Sequence, residues 1–382
     1  MNRLLFLIII ILISLSLVGC WNYKEINDIY IVAGLAIDRD ASNLFDVTAE
    51  IVNTRQFGGE ETIYSEKLES QGETIFSAVR DMIKVSARKL YWSHATSIIL
   101  SEDMAKESIL PVLDWVARDQ EPRLSMNIFI SKEKTAKELL ESKSLSSPEI
   151  RSFELEVTTN ENRDIIETPV ISVYELINQL SIPKTYIVIP AIEITSSKGD
   201  LSNMLSGGAV FNSDKLVGYL DKEDMLPYLF LVDDINGGLL DISIDNNTND
   251  KIAFEIFKSK TRVHPIYSKE DLEFNIDIKL DVSIGEINSQ FDYISEPGRV
   301  ILKKLTEESL NNKLEEFVKK VQQEFGLDIF GFGNVIRQRN PKTWELIEKD
   351  WDILFKELKV NINTEVKIRN SGHFSKPIEV MK

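Results

Sequence analysis

The sequence predicts an α+β protein of about three domains, with largely antiparallel or mixed sheets and amphipathic helices packed on them. Three observations carry this. The first two hundred residues alternate strand-like and helix-like stretches in the order β-β-α-β-α-β-α. Two long runs of apolar and polar alternation follow, at 251–267 and 271–287. Near the end, two amphipathic helices precede a final strand.

The first strands are expected at 28–38 ("DIYIVAGLAID") and 43–54, joined by the polar turn "RDASN". Residues 73–90 then place Ile75, Phe76, Val79, Met82, Ile83 and Leu90 on one helical face. A strand at 91–101 leads to a helix at 108–119 with Pro111 in its first turn, followed by a strand at 123–131 and a short helix around "KTAKELLES". From 142 to 182 the pattern is helical but polar. A strand at 185–195 ends in "SSKGDLSN" (196–203), a linker by composition.

Residues 207–220 read as a β-hairpin around a polar turn at 212–215. The helix "KEDMLPYLFL" and the strand "GGLLDISI" follow. In the second long strand Phe274, Ile276, Ile278, Leu280 and Val282 alternate with polar residues, which implies one buried and one wet face. Leu310, Leu314, Phe317, Val318, Val321 and Phe325 then line one side of a strong helix. "GLDIFGFGNVIRQ" reads as the turn after it. A second helix starts at Asn340 and Pro341 and carries Trp344, Ile347, Trp351, Leu354 and Phe355, and "KVNINTEVKIRNSG" closes the chain as a strand. The expected division is 1–19, a signal peptide; 20–200, a mixed α/β domain; 201–268, a small middle domain with the hairpin; and 269–382, an α+β domain.

The signal peptide rests on one basic residue, Arg3, ahead of an apolar run at 4–18. Fifteen residues fall short of the roughly 20 that a spanning helix needs. Leu17, Val18, Gly19 and Cys20 end the run and resemble a bacterial lipobox, in which the cysteine after the cleavage point takes a diacylglyceryl group. Cys20 is therefore expected to be the mature N-terminus, an N-palmitoyl, S-diacylglycerol cysteine that holds the protein at the membrane. It is the one cysteine of the chain, which excludes a disulfide, a cysteine metal site and a cysteine nucleophile. Trp21 beside it reads equally well as an interfacial anchor or as an ordinary linker residue.

The net charge is −17, and loss of residues 1–19 removes Arg3 and no acid, giving −18. So acidic a body argues against nucleic acid as a partner. It also assigns membrane attachment to the lipid and not to a polybasic patch.

Chemistry is not written in the sequence. His94, His264 and His373 lie far apart, without metal-ligand spacing, and His94 and His264 read as core or interface histidines with satisfied hydrogen bonds. No catalytic serine motif or phosphate-binding loop is present, and Gly331 and Gly333 alone make a weak G-x-G. The acidic clusters at 102–104, 222–224 and 233–234 read as helix caps and turns. Trp344 and Trp351 read as core in preference to a stacking platform, because Ile347 and Leu354 share their face. No metal, cofactor or catalytic residue is expected, and the protein is not read as an enzyme.

With these pieces in place the chain resembles the Ger(x)C lipoproteins, the C subunits of spore germinant receptors. The resemblance runs through "GCWNYKEINDIYIVAGLAID", "RKLYWSHATSIILS", "LDWVARDQEPR", "GGAVFNSDKLVGYL" and the closing "IRNSG", in order across nearly the whole mature chain. Many members carry an acidic residue where this chain has Asn22. The resemblance implies three mixed α/β domains without catalytic activity, anchored by lipid on the outer face of the spore inner membrane. It also implies two polytopic partners, the A and B subunits, in a receptor for small nutrients. A solute-binding lipoprotein of a transporter is the alternative, disfavoured by the alternating strands of the second half. A cell-wall hydrolase would need a reaction centre that the sequence does not offer.

Overall fold

A computed structural model describes residues 28–57, 60–142, 150–166, 168–197, 200–243, 251–267, 272–289 and 291–369, besides residues 3, 5 and 6. The expected signal peptide beyond those three, Cys20, Trp21 and His373 lie outside the described residues.

Two sheets organise the chain. The first begins with β1 (Ile29–Arg39), β2 (Phe45–Phe57) and β3 (Glu60–Gly72), an antiparallel meander. Helix α1 (Ile75–Ser86) returns the chain to β4 (Lys89–Tyr91), which pairs in parallel with the start of β1. After β5 (Ser97–Leu100) come α2 (Glu102–Glu107) and α3 (Leu110–Arg118), then β6 (Asn127–Ser131). The helices α4 (Lys137–Glu141), α5 (Arg151–Ile165) and α6 (Val173–Leu180) lead to β7 (Tyr186–Ser197), β8 (Asp200–Asn212) and β9 (Lys215–Leu220). The strand order is β3-β2-β1-β5-β6-β7-β8-β9, with β4 beside β1. Its middle, β1-β5-β6-β7, is parallel, and both wings are antiparallel.

Helix α7 (Lys222–Leu231) joins this sheet to the second, β10 (Leu239–Ser243), β11 (Lys251–Tyr267), β12 (Leu272–Asn288) and β13 (Lys359–Ile368). Its order is β10-β11-β12-β13, antiparallel except for the parallel β12–β13 pair. A parallel pair needs a crossover, supplied here by α8 (Gly298–Glu324), α9 (Phe332–Arg339), α10 (Pro341–Ile347) and α11 (Trp351–Glu357).

The pleat decides which core each residue enters. Leu35 and Ile37, Ile98 and Leu100, and Ile128 and Ile130 face the core under α1 and α3, whereas Ala36, Ile99 and Phe129 face the smaller core under α4 and α5. Parallel strands buried on both faces read as continuous apolar runs, as β5 does. The third core lies between the second sheet and α8–α11, where Phe274, Ile276, Ile278, Leu280 and Val282 are buried as their alternation predicts. It reaches Tyr186, Val188 and Val210 of the first sheet as well.

Several expectations need correction. Of the stretch 196–203, read as a linker, residues 196–197 and 200–203 are the facing ends of β7 and β8, paired at Ser196↔Leu201 and Ser197↔Asp200. In α1 the buried stripe is Ile75, Ala78, Val79 and Met82, while Phe76 is exposed and Leu90 belongs to β4. The expected turn at 326–338 contains α9, and the helix from Pro341 is interrupted by a 3-10 turn, Glu348–Asp350, which leaves Leu354 exposed. Of the two expected domain boundaries, 200 falls at the start of β8 and 268 lies outside the described residues.

Candidate functional site

Three buried carboxylates do the positioning work in this fold, each accepting from the N–H groups of a helix start. Two of them do so from about a hundred residues away in the chain, and the third from just before its helix. Glu50, in the middle of β2, is fully buried. Its Oε1 accepts from the Arg151 N–H at 3.0 Å and from Lys67 Nζ at 3.0 Å. Its Oε2 accepts from the Ser152 N–H at 2.8 Å and Oγ at 2.7 Å. A helix leaves its first N–H groups unsatisfied, and an anion there meets both them and the helix dipole. Gly34 on the neighbouring strand allows the approach, since a Cβ there would lie 2.2 Å from Ser152 Oγ. Asp38 treats α4 in the same way, accepting from the N–H groups of Ala136 at 2.7 Å and Lys137 at 3.2 Å. Burial pushes its carboxyl above the ordinary carboxylate range.

Asp328 is the third. It accepts from the N–H groups of Phe332 at 3.0 Å and Gly333 at 2.7 Å and from Trp351 Nε1 at 3.1 Å. Burial raises its pKa from 3.8 to about 6 in spite of these bonds. A cleft-bound carboxyl near 6 would suit a general acid. This one has no such outlet, since it is 2% exposed and its bonds fix α9 against α11.

The expected core reading holds for Trp344 and Trp351, whereas His94, read as a satisfied histidine in a strand, is exposed in a 3-10 turn, Trp92–His94. Trp344 and Trp351 are buried edge to face at 5.5 Å. His94 is exposed beside the Tyr91 ring, 5.6 Å between centroids. His264, half exposed on β11, has Nδ1 3.2 Å from Arg339 Nη1. Glu102 and Asp103 occupy the first turn of α2, and Asp221 forms a capping box with Asp224. Among the described residues no group of His, Cys, Asp and Glu could hold a metal ion, and no helix is long and apolar enough to cross a membrane.

A cavity of about 880 Å³ opens between α1, α3 and the far end of β1. Phe45, Phe76 and Trp115 line it with Arg39, Arg80 and Arg118. The charges are matched: Arg39 pairs with Glu107, Arg80 with Asp119 and Arg118 with Asp114. It offers stacking and ion-pair partners, and no nucleophile beside a base.

Comparison with known proteins decides what this architecture belongs to. Residues 22–194 match the model described as spore germination protein N-terminal domain, and residues 206–372 match spore germination B3/GerAC like, C-terminal. The chain belongs to the spore germination B3/GerAC-like family. Its relatives from Bacillus subtilis (strain 168) include the putative spore germination protein YfkR, 24% identical over 96% of this chain and 97% of that protein. Spore germination protein B3 is 25% identical over 95% and 96%, and spore germination protein KC 22% over 99% and 98%. The crystal structure of the GerBC protein superposes with a TM-score of 0.58 at 20% identity, covering 88% of this chain and 96% of that one. The GerAC-like fold is thus shared through both sheets, and the family is one of receptor components and not of enzymes.

Proposed function

We propose that this chain is the lipid-anchored C subunit of a nutrient receptor that triggers spore germination, acting in receptor assembly and signal coupling. The observation that carries the reading is the lipobox-like sequence at 17–20, placed two residues before a body that matches both germination domains. The lipid on Cys20 holds the body on the outer face of the spore inner membrane and raises its effective concentration beside the polytopic A and B subunits. Turnover has no part in this role.

The test is dipicolinic acid release from spores lacking the chain, over a panel of nutrients, with a receptor-independent trigger as control. Loss of response to particular nutrients with the control intact supports the reading and names the nutrient class. The deletion is repeated in a strain without its other receptors, and a normal nutrient response there refutes it.

A further inference from the structure

An amphipathic surface lies at the end of the first sheet where β1 begins. β4 pairs with β1 from Ile29↔Lys89 to Ile31↔Tyr91, and the adjacent β5 and β6 start at the same end, Ser97 opposite Asn127. Around it Val85 is 71% exposed, Tyr174 57%, Leu124 39% and Tyr91 37%. The segments carrying them are joined: Ser93 Oγ donates to the Glu121 carbonyl at 2.8 Å, and the Tyr174 N–H to the Leu124 carbonyl at 2.9 Å.

Arg88 and Arg123 are exposed among these side chains. Arg88 stands over the Tyr30 ring at 4.9 Å, and neither arginine has a carboxylate partner among the described residues. Of the acids nearby, Asp81 pairs with Lys84 and Glu121 with Lys89, while Asp28 and Glu175 have no cation partner among the described residues. In a chain of net charge −17, the charges at this end balance, Lys84, Arg88, Lys89 and Arg123 against Asp28, Asp81, Glu121 and Glu175.

We propose that this surface rests on a lipid bilayer with anionic headgroups and so fixes the orientation of the body on the membrane. The inference depends on the reading of Cys20 as the lipid attachment point. Ile29 is nine residues on from Cys20, a reach of at most about 30 Å even when fully extended. The tether therefore enters the body at the end where β1 starts. Exposed apolar and aromatic side chains bracketed by arginines match what an anionic interface binds. Acidity of the chain as a whole weighs against a polybasic patch, but it does not describe this end.

The experiment uses the full chain, lipid-modified and reconstituted in vesicles. Acylated Cys20 offers no thiol, so Val85→Cys and the control Ser42→Cys each take a single environment-sensitive fluorophore. Ser42 lies past the other end of β1, about 30 Å away at the usual rise per strand residue. In phosphatidylglycerol vesicles containing a headgroup-nitroxide lipid, the probe at 85 is expected to be quenched several-fold more than the probe at 42. Arg88→Glu with Arg123→Glu, or purely zwitterionic vesicles, abolishes the difference. Equal quenching at the two positions, or insensitivity to the charge reversal, overturns the inference. So does a probe at 85 that is unquenched in vesicles yet shielded in spore membranes, which assigns the surface to a protein partner. Thiol labelling of the chain without an added cysteine separates the two readings. Label there means that Cys20 is free and both fall, whereas an unlabelled parent with equal quenching sinks this inference alone.

Discussion

Asp328 shows how a single acid can be buried, perturbed and structural at once. Its folded-state pKa, about 6, lies above the ordinary 3.8, so the folded protein holds this proton more tightly than the unfolded chain. Stability from this group is therefore greatest below about pH 4, falls as pH rises to about 6 and changes no further above that. Asp328→Asn keeps the shape but places an N–H₂ where an acceptor is needed, leaving a buried donor unpaired. We expect it to cost about 1–3 kcal/mol in urea unfolding. The gap between parent and variant should be wider at pH 4 than at pH 7, and a pH-independent gap would refute the assignment. None of this was legible in "GLDIFGFGN", where an acid among glycines looks like a turn. The core role of Trp344 and Trp351 was legible, because their apolar neighbours share a helical face.

At the scale of elements, periodicity located what burial makes periodic. The long strands β11 and β12, the 212–215 hairpin turn and α8 all follow their apolar patterns. β3 escaped because it is an edge strand of mixed polar residues, "EETIYSEKLESQG", whose partner β2 supplies the order that its own sequence lacks. α9 escaped because its cap, Asp328, precedes it across a glycine turn. α5 is the instructive case: its amphipathicity is weak, and it is held by Glu50, about a hundred residues earlier in the chain. Glu50→Ala leaves Lys67 and two helix N–H groups without their carboxylate, and should cost about 3–5 kcal/mol. Gly34→Ala pushes the same helix off the sheet by overpacking, at about 1–3 kcal/mol. Hydrogen exchange should show 151–165 losing protection in both variants before the central strands do. Because both substitutions act on one contact, the double variant should cost less than their sum. Strict additivity would mean that Glu50 and Gly34 do not share that helix.

For the whole molecule, composition spoke clearly and incompletely. A net charge of −17 describes the average surface, whereas the arginines near the start of β1 become neighbours only when β4 and the 119–126 loop fold beside it. Family and fold class were legible from ordered motifs and from alternation, but the cavity by α1 and the buried carboxylates arise from contacts between distant segments. Membrane attachment is the property on which the proposed role turns, and it rests on one side chain. Spores or mother cells supplied with an alkynyl fatty acid should incorporate the label into the parent chain, and Cys20→Ala should abolish it. Two acyl chains anchor stably, each buried methylene contributing about 0.8 kcal/mol, whereas one chain is marginal. Nutrient-triggered dipicolinic acid release in the Cys20→Ala strain should accordingly fall towards that of the deletion. A label lost without any loss of germination would mean that contacts with the other subunits hold the body in place. A label retained in the variant would show that the lipid is not on Cys20.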